Sequence, residues 1–428
     1  MGFIGLTLSS VLAESGYCVN GIDILPKVIK GLKQKNIQFF EPGLFDLVKK
    51  HGNNKLKFFT EIPDRSCDYY IICVGTPIHN TDKYPNLEFL EKAVKSIGKF
   101  IKEGDTVILR STVPVGTTRK MVKILGKDSS LIPGKDFYFG FVPERTVEGN
   151  AVHEIKRIPQ IIGPFNENSR VKITKIFSNF NNNLIQVPDI EHAEMCKLVD
   201  NTFRDVLFSY ANQLAIISES LRLDYNIIRE ASNKDYIRNN IPKASPGVGG
   251  ACLTKDTYIL ADTCKKLGID ASLLLSARHI NNKIVLELSK KILSKIESIG
   301  KNPLSSKIFI MGFAFKGEPE TSDTRFSTTI DLVDYLQPYC PNIYGYDSIA
   351  SPKDIESEKV VVCSIEEGFS EADVVIIMNE HRELRNLDIL RLSKQSKDPL
   401  IFIDCWNLYD KGDFNDIDNI IYSSIGLY

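Results

Sequence analysis

The chain has 428 residues, too many for one hydrophobic core, so two or three domains are expected. Lys and Arg number 53 against 54 Asp and Glu, a formal charge of −1, which argues against the basic faces that nucleic acids and membrane surfaces require. Nine cysteines without a CxxC pair point to reduced thiols in a cytoplasmic protein, not to disulfides or a metal site; no basic-then-apolar pattern opens the sequence and no apolar run reaches the ~18 residues of a membrane span, so neither export nor membrane spanning is expected.

Gly2-Phe3-Ile4-Gly5 opens an apolar helical pattern, and Tyr17–Ile24 reads as a strand that delivers Asp23. Together they form the back half of a dinucleotide fingerprint. Glycines let phosphate oxygens reach bare N–H groups at a helix start, and an acidic residue at the next strand end takes ribose hydroxyls, favouring NAD over NADP. Lys27, four residues after Asp23, is placed to reach the adenosine end. The first glycine of the fingerprint, and the strand before it, are not in the sequence. The two strands that would flank that strand are therefore expected to face each other with backbone groups unpaired. Two alternatives follow: a start upstream of Met1, or a form that binds NAD poorly.

Strands are next predicted over Asp68–Val74, Thr106–Leu109 and Tyr138–Val142. They lead into Gly75-Thr76-Pro77, Ser111-Thr112-Val113-Pro114-Val115-Gly116-Thr117 and Pro143-Glu144-Arg145. In a parallel sheet, ligands bind beyond the carboxyl ends of the strands, where all these polar segments lie. Glu191 to Leu223 is helical throughout, ~50 Å at 1.5 Å per residue, long enough to link domains and carry a subunit interface. Gly247-Val-Gly-Gly-Ala-Cys252 then precedes a helix over Thr257–Leu267. A helix N-terminus favours thiolate over thiol, and the glycines leave room for another molecule to approach the sulfur. A long helix over Asp270–Ile299 follows, and after Asn302-Pro303 the strands Lys307–Met311, Asn342–Tyr346, Asp373–Met378 and Leu400–Ile403 restore the alternation. The expected fold is α/β: two doubly wound, Rossmann-like domains (1–188 and 303–428) joined by a central helical domain (189–302) with a long helix.

The succession of segments resembles the UDP-glucose/GDP-mannose dehydrogenase family of nucleotide-sugar 6-dehydrogenases. The matching residues are Gly2-Phe-Ile-Gly-Leu6, Val74-Gly-Thr-Pro77, Ser111-Thr-Val-Pro-Val-Gly116, Pro143-Glu-Arg-Thr-Val-Glu148, Glu194-Met-Cys-Lys197 with Asn201, Gly249-Gly-Ala-Cys252 with Lys255-Asp256, and Gly312-Phe-Ala-Phe-Lys316 with Asp323-Thr-Arg325. The resemblance implies a four-electron oxidation of a sugar CH2OH to a carboxylate, with two NAD molecules used in turn and no metal. It makes the N-terminal domain the NAD-binding one and the C-terminal domain the nucleotide-sugar-binding one.

By matched position, Cys252 is the nucleophile that holds the aldehyde as a thiohemiacetal and then as a thioester. Lys197 and Asn201, at i and i+4, share one helix face and stabilise the oxygen that gains charge. Asp256 positions a water or accepts its proton, Glu144 is the base for hydrolysis, and Thr112 lies near the nicotinamide and that water. Cofactor contacts fall on Gly2, Phe3, Ile4, Gly5, Asp23, Lys27, Thr76, Thr112, Glu148 and Lys255. Substrate contacts fall on Glu144, Arg145, Lys197, Asn201, the loop with Ile241, Lys243 and Ser245, Gly249, and the diphosphate-gripping Lys316 and Arg325, the last oriented by Asp323.

Arg145 and Pro246 resemble the N-acetylhexosamine branch, especially UDP-N-acetyl-D-mannosamine dehydrogenases, whereas Lys255 departs from many of its members. UDP-glucose and UDP-N-acetylglucosamine are the alternative substrates, and the central helices suit a homodimer or higher homo-oligomer. A two-electron hydroxyacid dehydrogenase and an inactive nucleotide-sugar-binding scaffold are the rival readings.

Overall fold

A computed structural model describes residues 1–63, 67–79 and 83–427. Contacts divide it into two compact units: Met1–Asn201 with Lys255–Ala271, and Thr202–Thr254 with Ser272–Tyr428.

In the first unit, helix α1 (Phe3–Glu14) starts directly after Gly2 and buries Leu6, Leu8, Val11, Leu12 and Ala13. Strands β1 (Val19–Ile22) and β2 (Leu56–Phe59) form a parallel pair, Val19 opposite Leu56. Strands β3 (Tyr69–Ile72), β4 (Thr106–Leu109), β5 (Tyr138–Phe141), β6 (Gln160–Pro164) and β7 (Leu184–Gln186) form a separate sheet in that order, parallel except for β5 against β6. Among the described residues no ladder joins β1–β2 to β3, as expected where the fingerprint lacks its strand. The Met1 side chain lies over β1, so close to Gly21 that a Cβ there would meet its Cε at 2.8 Å. The five-stranded sheet is filled by Val107, Leu109, Phe139 and Phe141 on one face, packed on Leu90, Val94, Met121 and Leu125. It delivers Thr76, Arg110, Thr112 and Glu144 beyond the carboxyl ends of its strands.

The second unit has a six-stranded, wholly parallel sheet: β8 (Lys307–Met311), β9 (Asn342–Tyr346), β10 (Val361–Val362), β11 (Val374–Ile377), β12 (Leu400–Asp404) and β13 (Ile420–Ser424), in the order β10-β9-β8-β11-β12-β13. Between the N-terminal strands and these come α2 (Ile190–Ser220), which begins in the first unit and ends in the second, α3 (Leu253–Lys266) and α4 (Ser272–Ser298). Helix α4 buries Ile284, Val285, Leu288, Ile292 and Ile296 against Ile308 and Ile310, at the three- and four-residue spacing of one helix face. Among the described residues, no helix is long and apolar enough to cross a membrane, and no disulfide joins the nine cysteines.

All eight predicted strands are present. Five more, β2, β6, β7, β10 and β13, were not foreseen. β7 and β10 have three and two residues, and β6 ends in a proline, so periodicity carries little signal there.

Candidate active site

At the start of α1 the N-cap is Gly2, with no side-chain cap. A Cβ on Gly2 would find nothing within 4 Å, so the backbone is open to an incoming phosphate and the cradle fits a dinucleotide. The Phe3 ring packs on Phe39 at 5.3 Å between centroids. Ile4 and Gly5 are half-buried, Gly5 against Cys73 and Met1. Asp23 accepts the Leu25 N–H at 2.9 Å and ion-pairs with the Met1 ammonium. Lys27 stands exposed on the helix Pro26–Lys33. Farther along the strand ends, the Thr76 hydroxyl donates to the Thr112 carbonyl at 2.6 Å, joining two residues expected near the cofactor.

Glu144 is 6% exposed and fully engaged. One oxygen takes Arg110 Nη2 at 2.5 Å; the other accepts the N–H groups of Arg145 and Thr146, each at 2.8 Å. Burial alone would raise its pKa, but the Arg110 guanidinium and the Thr146 N–H more than offset it, so the carboxyl titrates below its usual range. Arg145 reaches Asp200 at 2.7 Å. Glu148 sits half-buried in the turn that follows.

On α2, Lys197 and Asn201 are both buried, and Lys197 makes no ion pair among the described residues. Asn201 Nδ2 donates to Asp256 Oδ2 at 2.5 Å, and Lys255 Nζ lies 2.8 Å from Asp256 Oδ1. Asp256 is wholly buried. The structure thus brings Asn201, Lys255 and Asp256 together. Lys197, one helical turn before Asn201 on α2, adds a buried ammonium, a group suited to an oxygen that becomes negative during reaction.

In the second unit, Cys252 is exposed immediately before α3. The glycines ahead of it serve packing: a Cβ on Gly249 would meet Phe326 O at 2.5 Å, and one on Gly250 the Phe315 ring at 2.7 Å. Their lack of a Cβ is what allows this close approach to the Phe315–Phe326 segment. In the loop ahead of them, the Ile241 N–H donates to Asn233 Oδ1 at 3.0 Å and its C=O accepts from Asn233 Nδ2 at 2.8 Å, the Ser245 hydroxyl donates to the Gly247 carbonyl, and Lys243 is exposed.

Gly312 turns at φ +97°, where a Cβ would strike Asn379 at 2.5 Å. Asp347 then accepts the N–H groups of Phe313 and Ala314 at 2.6 and 2.9 Å. That tether sets the position of Lys316, whose Nζ donates to Pro319 O at 2.7 Å. Arg325 is held by Asp323 through Nε at 2.9 Å and Nη2 at 2.6 Å, as expected of an orienting carboxylate.

Sequence reasoning assigned no role to two buried charges here. Arg110 directly follows the apolar run Val107-Ile-Leu, and a charge there almost always has a buried partner, which was the available signal. Glu194 accepts the N–H groups of Gly116 and Thr118 at 2.6 and 2.7 Å, capping the helix Thr117–Ser129, which begins after a glycine that cannot cap it. Burial pushes the Glu194 carboxyl up to about 7.

The sequence matches, in succession, three models of the UDP-glucose/GDP-mannose dehydrogenase family: the NAD binding domain over residues 1–181, the central domain over 191–283 and the UDP binding domain over 309–411. It is 31% identical to a UDP-N-acetyl-D-mannosamine dehydrogenase of Pyrococcus horikoshii, over 94% of this chain and 93% of that protein. It is 33% identical to one of Methanocaldococcus jannaschii, over 96% of this chain and 92% of that protein. The solved structure of the UDP-D-ManNAc dehydrogenase from Pyrococcus horikoshii superposes with a TM-score of 0.90 at 29% identity, covering 99% of this chain and 97% of that one.

Proposed function

Because this chain belongs to the UDP-glucose/GDP-mannose dehydrogenase family and is an NAD-dependent nucleotide-sugar dehydrogenase, we propose that it oxidises C6 of UDP-N-acetyl-D-mannosamine to the carboxylate through a covalent Cys252 adduct. The observation that carries the chemistry is the buried Lys197, which makes no ion pair among the described residues, one helical turn from an Asn201 fixed by Asp256. The sugar assignment is supported by Arg145, Pro246 and the names of the relatives at 31 and 33% identity.

When bound, NAD removes a hydride from the sugar carbon in each of two oxidations. Residues Gly2 to Gly5 hold its phosphates, with Asp23, Lys27, Thr76, Thr112, Glu148 and Lys255 as its other contacts. The Cys252 thiolate adds to the C6 aldehyde, and the resulting oxyanion is stabilised by the Lys197 ammonium and the Asn201 amide. After the second oxidation a water attacks the thioester carbonyl. Glu144, kept ionised by Arg110, takes the water's proton, Asp256 keeps Asn201 and Lys255 in place, and the acid departs from the Cys252 sulfur. Lys316 and Arg325 grip the UDP diphosphate, while Arg145, Ile241, Lys243, Ser245 and Gly249 line the remainder.

The expected result is two NADH per UDP-N-acetyl-D-mannosamine consumed, counted in a reaction taken to completion with the sugar limiting. One NADH per sugar would overturn the four-electron reaction. A higher kcat/KM for UDP-glucose or UDP-N-acetylglucosamine would move the substrate and leave the chemistry.

A second copy of the chain is the proposed partner, and the cytoplasm its place. Phe203, Tyr210 and Ile217 of α2 are 63, 54 and 43% exposed, and their spacing of seven puts them on one helix face, which Leu221, just past the helix end and 63% exposed, extends. Phe203→Glu with Ile217→Glu is expected to halve the mass seen by light scattering. An unchanged mass would exclude this face from the interface.

A further inference from the structure

The loop that carries Cys252 is fastened by a buried polar network lying entirely in the second unit. Arg278 on α4 is 1% exposed, and its guanidinium reaches both sides of the cysteine. Nη2 donates to the Val248 carbonyl at 3.0 Å, and Nη1 lies 3.5 Å from the Leu253 carbonyl. The guanidinium is itself fixed by Asp205 Oδ1 at 3.0 Å from Nη1 and Asn282 Oδ1 at 3.1 Å from Nε. Asn281 ties the Asp205 main chain (2.9 Å) and side chain (2.8 Å) to the same helix, and Asn212 runs from Asn281 (3.0 Å) to the Ser245 N–H (2.8 Å). One planar fork thus bridges the residue four positions before Cys252 and the residue just after it, while the glycines between them pack on Phe315 and Phe326.

We infer that Arg278 is a positioning residue for Cys252: it fixes the backbone on either side of the sulfur and so sets where the nucleophile meets the aldehyde. This rests on the reading of Cys252 as nucleophile. Lysine cannot reproduce the arrangement, because a single ammonium on a flexible stem lacks the rigid fork that spans two carbonyls and a carboxylate. Displacing a reacting group by even 1 Å is enough to cost on the order of 10²-fold in rate.

The test compares the enzyme with Arg278→Lys and Arg278→Gln, measuring kcat, KM for the UDP-sugar, and the pH profile of Cys252 carboxamidomethylation by iodoacetamide. Lys301→Met serves as control; it breaks the 2.9 Å Lys301–Asp373 pair elsewhere in the same unit. For Arg278→Lys, kcat is expected to fall at least tenfold with KM within about twofold, and the alkylation profile to shift. Arg278→Gln should lose more, and Lys301→Met should change neither readout at an equal loss of thermal stability. Parent-like kcat and alkylation in Arg278→Lys, or the same changes in Lys301→Met, would overturn the positioning role. Parent-like activity in Cys252→Ala would instead remove the nucleophile reading beneath it.

Discussion

Cys252→Ser is expected to lower net acid formation by on the order of 10⁴-fold, while leaving UDP-sugar affinity within a few-fold of the parent. The two halves of the reaction make different demands on this position. Removal of the first hydride needs a base and a hydride acceptor, and no sulfur. The second oxidation needs the aldehyde carbon to become tetrahedral and carry an oxyanion, from which the hydride leaves, and its product must remain bound until water reaches it. A thiolate meets both needs, because at neutral pH an appreciable fraction of a thiol near a helix start is ionised. A serine hydroxyl has no comparable ionised fraction and forms an ester that water cleaves more slowly. The variant should therefore leave sugar largely unoxidised or stopped at the aldehyde, which a carbonyl-trapping hydrazine would reveal. A two-electron hydroxyacid dehydrogenase of similar architecture would lose nothing on Cys252→Ala, so full activity there would exclude the cysteine mechanism. Mass spectrometry of the parent mixed with substrate and NAD supplies a second check: an acyl adduct is expected on the peptide carrying Cys252, and on none of the other cysteines.

What the sequence reveals about such a site depends on whether the responsible signal is local. The apolar runs of β4, β8, β11 and β12 are buried at every or nearly every position, so composition alone marks them. Helix α4 shows its buried face at regular spacing, and its predicted ends lie within two residues of those observed. Lys197 and Asn201 are legible because helical spacing fixes their common face. Which acceptor Asn201 meets is not legible: Asp256 lies 55 positions away, and only the tertiary fold makes that bond. The same holds for Arg110 with Glu144, 34 positions apart, and for Arg278 with Asp205, 73 apart. The Gly247–Gly250 run was recognisable as special, but its cause was not, since the crowding atoms belong to Val285, Thr328 and Asn281 at Gly247 and to Phe326 and Phe315 at Gly249 and Gly250.

The Arg110–Glu144 pair gives the other large effect, and its pH dependence has a definite sign. In the parent, Glu144 titrates below its ordinary value because Arg110 and the neighbouring N–H groups outweigh burial. A depressed folded-state pKa contributes stability that is fully present above the unfolded value and is lost as the pH falls through the folded one. Arg110→Met reverses this. The carboxyl stays buried without its counter-charge, so its folded-state pKa should rise above the unfolded value. Its stability contribution is then greatest in acid, where the group is neutral, and is lost as the pH rises. Breaking such a pair from one side costs about 3–5 kcal/mol, because a charge is left without compensation in a low-dielectric interior. Arg110→Met is accordingly expected to melt well below the parent at about pH 8 and to recover much of the difference at about pH 5. Arg110→Met with Glu144→Gln should recover most of it at both, since no buried charge remains. The rate of acid release should nevertheless stay low in that double variant, because an amide cannot take a proton from water. A deficit of equal size at both pH values would mean that lost packing on Phe177, whose ring lies 5.5 Å from the guanidinium carbon, and not the ion pair, accounts for the role of Arg110.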